Sequence, residues 1–375
     1  METKKGRCSN IELLRICPML MIIMYHIVCH CVNVQLTDAN SIERMGNGLF
    51  NEPVFFKRLL IPAFIMPWGI VGNAIFLLIS GYFMAAKQKI NMTEISKKIL
   101  LQLGVATVIL VLISMVCYLK MPDIKFNLVK IWDYNDMSWF AGYYFLIMLG
   151  AKLFLNKFLN NLEENQYIAF VLSSFAICQL SWSRGLADNL ASGVSVLITG
   201  VFLYSMGGYI RKYDPFKRIR AWAFIGIIII TYVFIYISNY NNVANMIQDY
   251  VSGGNNGVFY HNLKTYGNHS IVVMIVGVCF FEIFKRLRIP QNKIINYIGA
   301  ATFMTYLIHD NGFSYSIWNT QDWITLLYYN PLLCLVKIFV WALFFFVGGI
   351  IAYSIFIWCG KLYNKYKYIF LIDNK

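Results

Sequence analysis

Long apolar runs alternate along the chain with short polar segments. Ten runs come near the length needed to cross a bilayer, about 20 mostly apolar residues in a helix. They are Ile11–Val34, Phe64–Ala86, Ile99–Leu119, Trp139–Leu159, Gln166–Trp182, Leu190–Ile210, Trp222–Tyr240, Ser270–Phe284, Ile298–Trp318 and Leu332–Leu362. Lipid offers the backbone no hydrogen-bond partner, so such runs predict helices and not strands. The expected fold is all-α: one domain over residues 1–375, a polytopic membrane bundle of about ten transmembrane helices.

The polar segments carry a sign. Of 32 Lys and Arg residues, 22 fall in one alternating set of connections and 8 in the other, with Arg15 and Lys337 inside runs. Basic loops stay on the cytoplasmic side, so both termini are expected there. The same pattern accounts for the net charge of +14 without any nucleic-acid partner. An apolar share of 59%, a charged share of 13% and a mean hydropathy of +0.58 exclude an ordinary soluble domain. The nine cysteines are scattered and form no CxxC pair, so no metal site is expected. Arg15 and Pro18 interrupt the first run and no A-x-A-like site follows it, which argues against a cleaved signal peptide.

The first run holds most of the candidate chemistry. IELLRICPMLMIIMYHIVCHCVNV contains Glu12, Arg15, His26 and His30. Ionisable groups inside a span are costly and usually face a cavity or a partner. Arg15 and His26 stand eleven positions apart, about three turns plus 20°, so they share one helix face roughly 16 Å apart along the axis. A fixed cation toward the cytosol and an imidazole toward the outside suit a reaction whose two substrates arrive from opposite sides. The longer outer connections, rich in Asn, Asp, Tyr and Trp, suit sugar binding, although interfacial aromatics are also ordinary.

RCSNIELLRICPMLMIIMYHIVCH resembles the first helix of the membrane-bound acyltransferase-3 family, which includes O-acyltransferases of bacterial surface glycans. The family's signature is a basic residue, ten others and a histidine, here Arg15 and His26. GNAIFLLISGYFMAAK is similar to its run ending in Ser-Gly-aromatic, at Ser80, Gly81 and Tyr82. WFAGYYFLIMLGAKL, from Trp139, resembles its Trp-Phe segment, and ATFMTYLIHD its late Tyr-Leu-x-His segment with His309. Many relatives carry a doubled histidine where this chain has Tyr25 and His26.

The resemblance implies transfer of an acyl group, acetyl being the expected one. The donor would be cytoplasmic acyl-CoA as co-substrate, and the acceptor a hydroxyl of an extracytoplasmic or lipid-linked glycan. It implies the inner membrane of a bacterium and contact with membrane lipids. His26 would be general base or transient acyl carrier, since a neutral imidazole can take a proton near pH 7. Its structural alternative is a histidine bonded to a neighbouring helix. Arg15 would clamp CoA phosphates or polarise the thioester carbonyl, against a plain i,i+3 pair with Glu12. His30, Ser80, Gly81, Tyr82, Trp139 and His309 would line the substrate sites. Against this stand an outer-interface histidine, small-residue helix packing, an aromatic belt and a polar helix end. Asp310 would accompany His309, the two orienting His26 or binding the sugar, and Tyr143 and Tyr144 could line the acceptor path. His261 and His269 read as solvated loop residues. A transporter or flippase of lipid-linked sugars is the competing class, and a non-catalytic assembly protein the third. Nothing in the sequence sets the oligomeric state.

Overall fold

The computed structural model describes residues 8–37, 53–121, 139–179, 193–251 and 263–372. Every regular element among them is helical. In chain order they are α1 (Ser9–Ile27), a π-helical turn (Val28–Val32), α2 (Asn33–Thr37), α3 (Pro53–Ile65), α4 (Trp68–Met84) and α5 (Met92–Lys120). There follow α6 (Trp139–Gly150), a second π-helical turn (Ala151–Leu155), α7 (Asn156–Asn161), α8 (Glu164–Gln179), α9 (Val194–Tyr213) and α10 (Ala221–Val251). The chain ends with α11 (Ile271–Arg286), α12 (Lys293–His309), α13 (Gly312–Trp318), α14 (Trp323–Tyr329) and α15 (Pro331–Ile372).

Seven stretches of the described residues are long and apolar enough to cross a membrane: Ser9–Leu36, Lys57–Met84, Met92–Lys120, Trp139–Asn161, Val194–Tyr213, Ala221–Asn245 and Pro331–Tyr363. The helices α8, α11 and α12, of 16, 16 and 17 residues, pack among them. The figure of about ten spans includes these three. Leu100, Val108 and Leu112 of α5, Ile229, Ile230 and Phe234 of α10, and Leu332, Phe344 and Ile351 of α15 are exposed. Such surfaces fit lipid, which is as apolar as they are.

Two of the runs depart from the sequence reading. The second span is preceded by α3, and the two helices meet at a turn before Trp68, where Pro67 has no N–H to continue the hydrogen-bond ladder. The run Ile298–Trp318 is not one helix. It stops at His309, and α13 starts afresh after Asn311, whose side chain accepts the Ser314 N–H at 2.9 Å. Asn311 Nδ2 and Ser314 Oγ both donate to the Ile308 carbonyl, at 2.8 and 3.0 Å. These bonds satisfy backbone groups that the break frees, as an interruption deep in a membrane bundle requires.

Hydrogen bonds gather the basic connections at one end. Asn10 Nδ2 donates to the Phe284 and Lys285 carbonyls, and Asn156 Nδ2 to those of Met84 and Lys87. Lys212 Nζ donates to the Leu162 carbonyl, and Lys285 Nζ to Asp214. At the other end Asn33 accepts the Leu263 N–H, and Gln35 bonds Trp323 and Gln321.

Two apolar cores flank α1. Its Ile11 and Leu14 belong to a core with α4, α6, α9 and α11, and its Met19, Ile22, Ile23, Met24 and Ile27 belong to one with α3, α12 and α15. The closest packing joins α4 to α9, where a Cβ at Gly81 would collide with the Tyr204 backbone and one at Gly207 with Leu78. Only glycine permits that approach.

Candidate active site

Arg15, Met19, Ile22 and His26 recur at helical spacing, so one stripe of α1 carries all four. The first three line a cavity of about 280 Å³. Asn73, Phe76 and Ser80 of α4 form a second wall, Lys98 and Ile99 of α5 a third, and Thr302, Phe303 and Tyr306 of α12 a fourth. Phe140 and Tyr144 of α6 complete it. Arg15 Nη1 lies 3.3 Å from both carboxylate oxygens of Glu12. Glu12 is buried, its side chain 6% exposed, while that of Arg15 is 28% exposed. The acid therefore anchors the guanidinium from behind through one nitrogen, and the rest of the fork remains available to an anion. Lys98 adds a second cation to the wall, so the mouth favours negative charge.

Beyond the cavity lies a closed polar cluster. His26 Nδ1 and His309 Nε2 are 3.1 Å apart, joining residues 283 positions apart in sequence. His309 Nδ1 faces the Thr305 carbonyl at 2.8 Å. A carbonyl can only accept, so His309 Nδ1 carries hydrogen and, in the neutral ring, Nε2 is an acceptor. His26 Nδ1 must then donate, which leaves the lone pair on His26 Nε2. Asp310 Oδ1 lies 3.5 Å from the same Nδ1 and fits that tautomer. The Tyr315 hydroxyl donates to Asp310 Oδ1. The Tyr315 ring stacks on His30, centroids 4.3 Å apart and planes 12° from parallel. His30 sits within the π-helical turn, whose extra residue re-aims the side chains that follow it, a device frequent at functional sites.

The two regions adjoin without merging. His26 is one turn past Ile22, and His309 three residues past Tyr306, so the histidine pair stands directly beyond the cavity's last two lining residues. His26 and His309 themselves do not line the cavity. Tyr306 touches both regions: its hydroxyl accepts the Phe140 N–H at 3.2 Å and faces the Asp310 carboxyl.

The remaining sequence candidates are distributed as follows. Ser80 lines the cavity and donates its hydroxyl to the Phe76 carbonyl at 2.7 Å. Gly81 packs on the α9 backbone, and Tyr82 lies under Arg211, which donates to its hydroxyl at 3.0 Å. Trp139 is exposed and stacks on Tyr143, whose hydroxyl donates to the Val196 carbonyl. Tyr144 lines the cavity. The His269 carbonyl accepts from Gln179, and His261 lies outside the described residues. Sequence reasoning passed over Lys98, Asn73, Tyr306 and Tyr315. A polar Asn in the run GNAIFLL and the Asp310-Asn311-Gly312 turn signal were the available clues.

No curated protein and no solved structure matches the chain. A family model described as an acyltransferase domain, that of acyltransferase-3, matches residues 9–360. With a match over nearly the whole chain, and a helical bundle able to span a membrane many times, the chain belongs to the acyltransferase-3 family and is an acyl-transferring membrane enzyme.

Proposed function

We propose that the chain carries an acyl group, acetyl being the expected one, from cytoplasmic acyl-CoA to a hydroxyl of a glycan or glycolipid at the outer leaflet of a bacterial inner membrane. The observation that carries this reading is the division of α1: Arg15 in a cavity near the basic end, His26 in a buried His-His-Asp cluster just past it. By the positive-inside rule the basic end is cytoplasmic, where acyl-CoA is found. Arg15 and Lys98 offer charge to its phosphates, and the apolar shaft toward Ile22 takes its arm.

His26 Nε2 then accepts the proton of the acceptor hydroxyl. The oxygen attacks the thioester carbonyl, the C–S bond breaks, and CoA leaves as thiolate. The proton on His26 passes to that sulfur. Asp310 and His309 hold the imidazole in the tautomer that exposes Nε2 as base, and the Asp310 carboxylate stabilises the imidazolium that forms. The thioester reaches His26 only once Ile22 and Tyr306 yield, which keeps water from the activated acyl group between turnovers. The test is mass spectrometry of surface glycans from cells carrying wild-type or His26→Ala protein at equal membrane level. Loss of the acyl mass is expected; its retention at the wild-type level rejects the reading.

A further inference from the structure

Two carboxamides in the membrane-embedded part of this bundle make no hydrogen bond among the described residues. Asn73 of α4 lines the cavity and is 9% exposed. Gln102 of α5 is fully buried, and neither its Nε2 nor its Oε1 has a partner. Gln102 does not itself line the cavity; it follows Lys98 and Ile99, which do, at i+4 and i+3, so it continues their stripe one turn deeper. Buried amides without partners carry a desolvation penalty, and apolar residues of the same shape would not. The unmatched amide of Gln102, together with the Asn73 amide on the cavity wall, points to a ligand that satisfies both.

Depth identifies the ligand's chemistry. At 1.5 Å per residue, Arg15 and Lys98 lie ~9 Å above the basic ends of α1 and α5, and His26 ~25 Å. Asn73 and Gln102 lie between, ~16 and ~15 Å above the same end. A CoA thioester with phosphates at the two cations and its acyl carbon at His26 places the two secondary amides of its arm in that interval. Each secondary amide offers one N–H and one C=O, which a carboxamide matches with its own acceptor and donor. We infer that Asn73 and Gln102 are binding residues that read the amides of the donor's pantetheine arm, and so select CoA thioesters over simpler acyl donors. This rests on the acyl-CoA reading above.

The test compares acetyl-CoA with an analogue in which one arm amide is replaced by an ester, which deletes an N–H. Purified wild type, supplied with glycolipid extracted from membranes of cells that carry the chain as acyl acceptor, should turn over acetyl-CoA with a KM roughly tenfold below that for the ester analogue, as expected for one unmatched hydrogen bond. Asn73→Leu and Gln102→Leu should each raise the acetyl-CoA KM about tenfold with kcat held, and one of them should erase the discrimination against the ester. A purely structural role would leave that discrimination intact, so its persistence in both variants overturns the inference. Where the leucine variants fail to accumulate, Asn73→Ser and Gln102→Met read the same discrimination. Wild type that uses both donors equally well overturns the inference without any variant. Wild type that turns over neither removes the acyl-CoA reading itself, and the inference falls with it.

Discussion

The Arg15 cavity and the His26 cluster share one helix and one stripe, yet they are built on opposite principles. The cavity is a partly open, largely apolar shaft with two cations, Arg15 and Lys98, and one carboxamide, Asn73, on its walls. The cluster is closed: His26, His309 and Asp310 are all buried, and their contacts run mostly to one another, to Tyr315 and to the Thr305 carbonyl. An open shaft adapts to a long, flexible donor. A closed network fixes one tautomer and one geometry, which proton transfer demands. On the proposed mechanism the contrast separates binding from chemistry along about 16 Å of α1. It predicts that substitutions near Arg15 act on KM and substitutions near His26 act on kcat.

The largest effect belongs to His26. His26→Ala should lower kcat for acyl transfer by about 10²–10⁴-fold, the typical worth of a general base, while acyl-CoA binding measured at equilibrium stays near wild type. Loss of binding in place of turnover would erase the division between the regions. Asp310→Asn comes next. It keeps the shape but removes the charge that steadies the imidazolium and accepts from Tyr315. A charge-assisted hydrogen bond is worth roughly 1.5–3 kcal/mol, so kcat should fall about 10- to 100-fold with KM unchanged. Steady-state kinetics on purified protein would show either outcome.

Arg15→Lys tests the other region. A lysine keeps a positive charge beside the buried Glu12 but loses the fork that grips a phosphate bidentately. The acyl-CoA KM should rise about tenfold, with kcat within a factor of about two and thermal stability held. A fall in kcat at constant KM would place Arg15 at the thioester carbonyl and away from the phosphates.

How far these regions could be foreseen differs between them, for a physical reason. Arg15 and His26 belong to one helix, and helical periodicity alone puts them on one face. The alternation of basic segments likewise anticipated which loops meet at one end of the bundle. The partnership of His26 with His309 was legible only as one of two roles open to His309 and Asp310, because 283 residues of chain separate the histidines and only packing of α1 against α12 joins them. The break after His309 was hidden because apolar residues flank it on both sides within Ile298–Trp318, although Asp310-Asn311-Gly312 carries the chemistry of a turn. The π-helical turn under His30 leaves no mark in the sequence, because one added residue in a turn interrupts neither the apolar run nor the charge pattern. Helix α3 escaped notice because Lys57 and Arg58 split its apolar face.

The smallest expected effect is the most informative about how the two regions communicate. Tyr306 lines the cavity, accepts the Phe140 N–H that opens α6, and faces Asp310. Tyr306→Phe keeps the ring, and with it the edge-to-face contacts to Phe140 and His309. It deletes only the hydroxyl. If that hydroxyl couples donor loading to the cluster, kcat should fall about three- to tenfold, in line with one hydrogen bond of about 1 kcal/mol, and KM should change little. The double variant with Asp310→Asn should then show less than the product of the two single effects, because both remove parts of one network. Strict additivity would mean that the cavity and the cluster meet only sterically at Tyr306, and that Ile22 and the Tyr306 ring form a passive barrier the donor must displace.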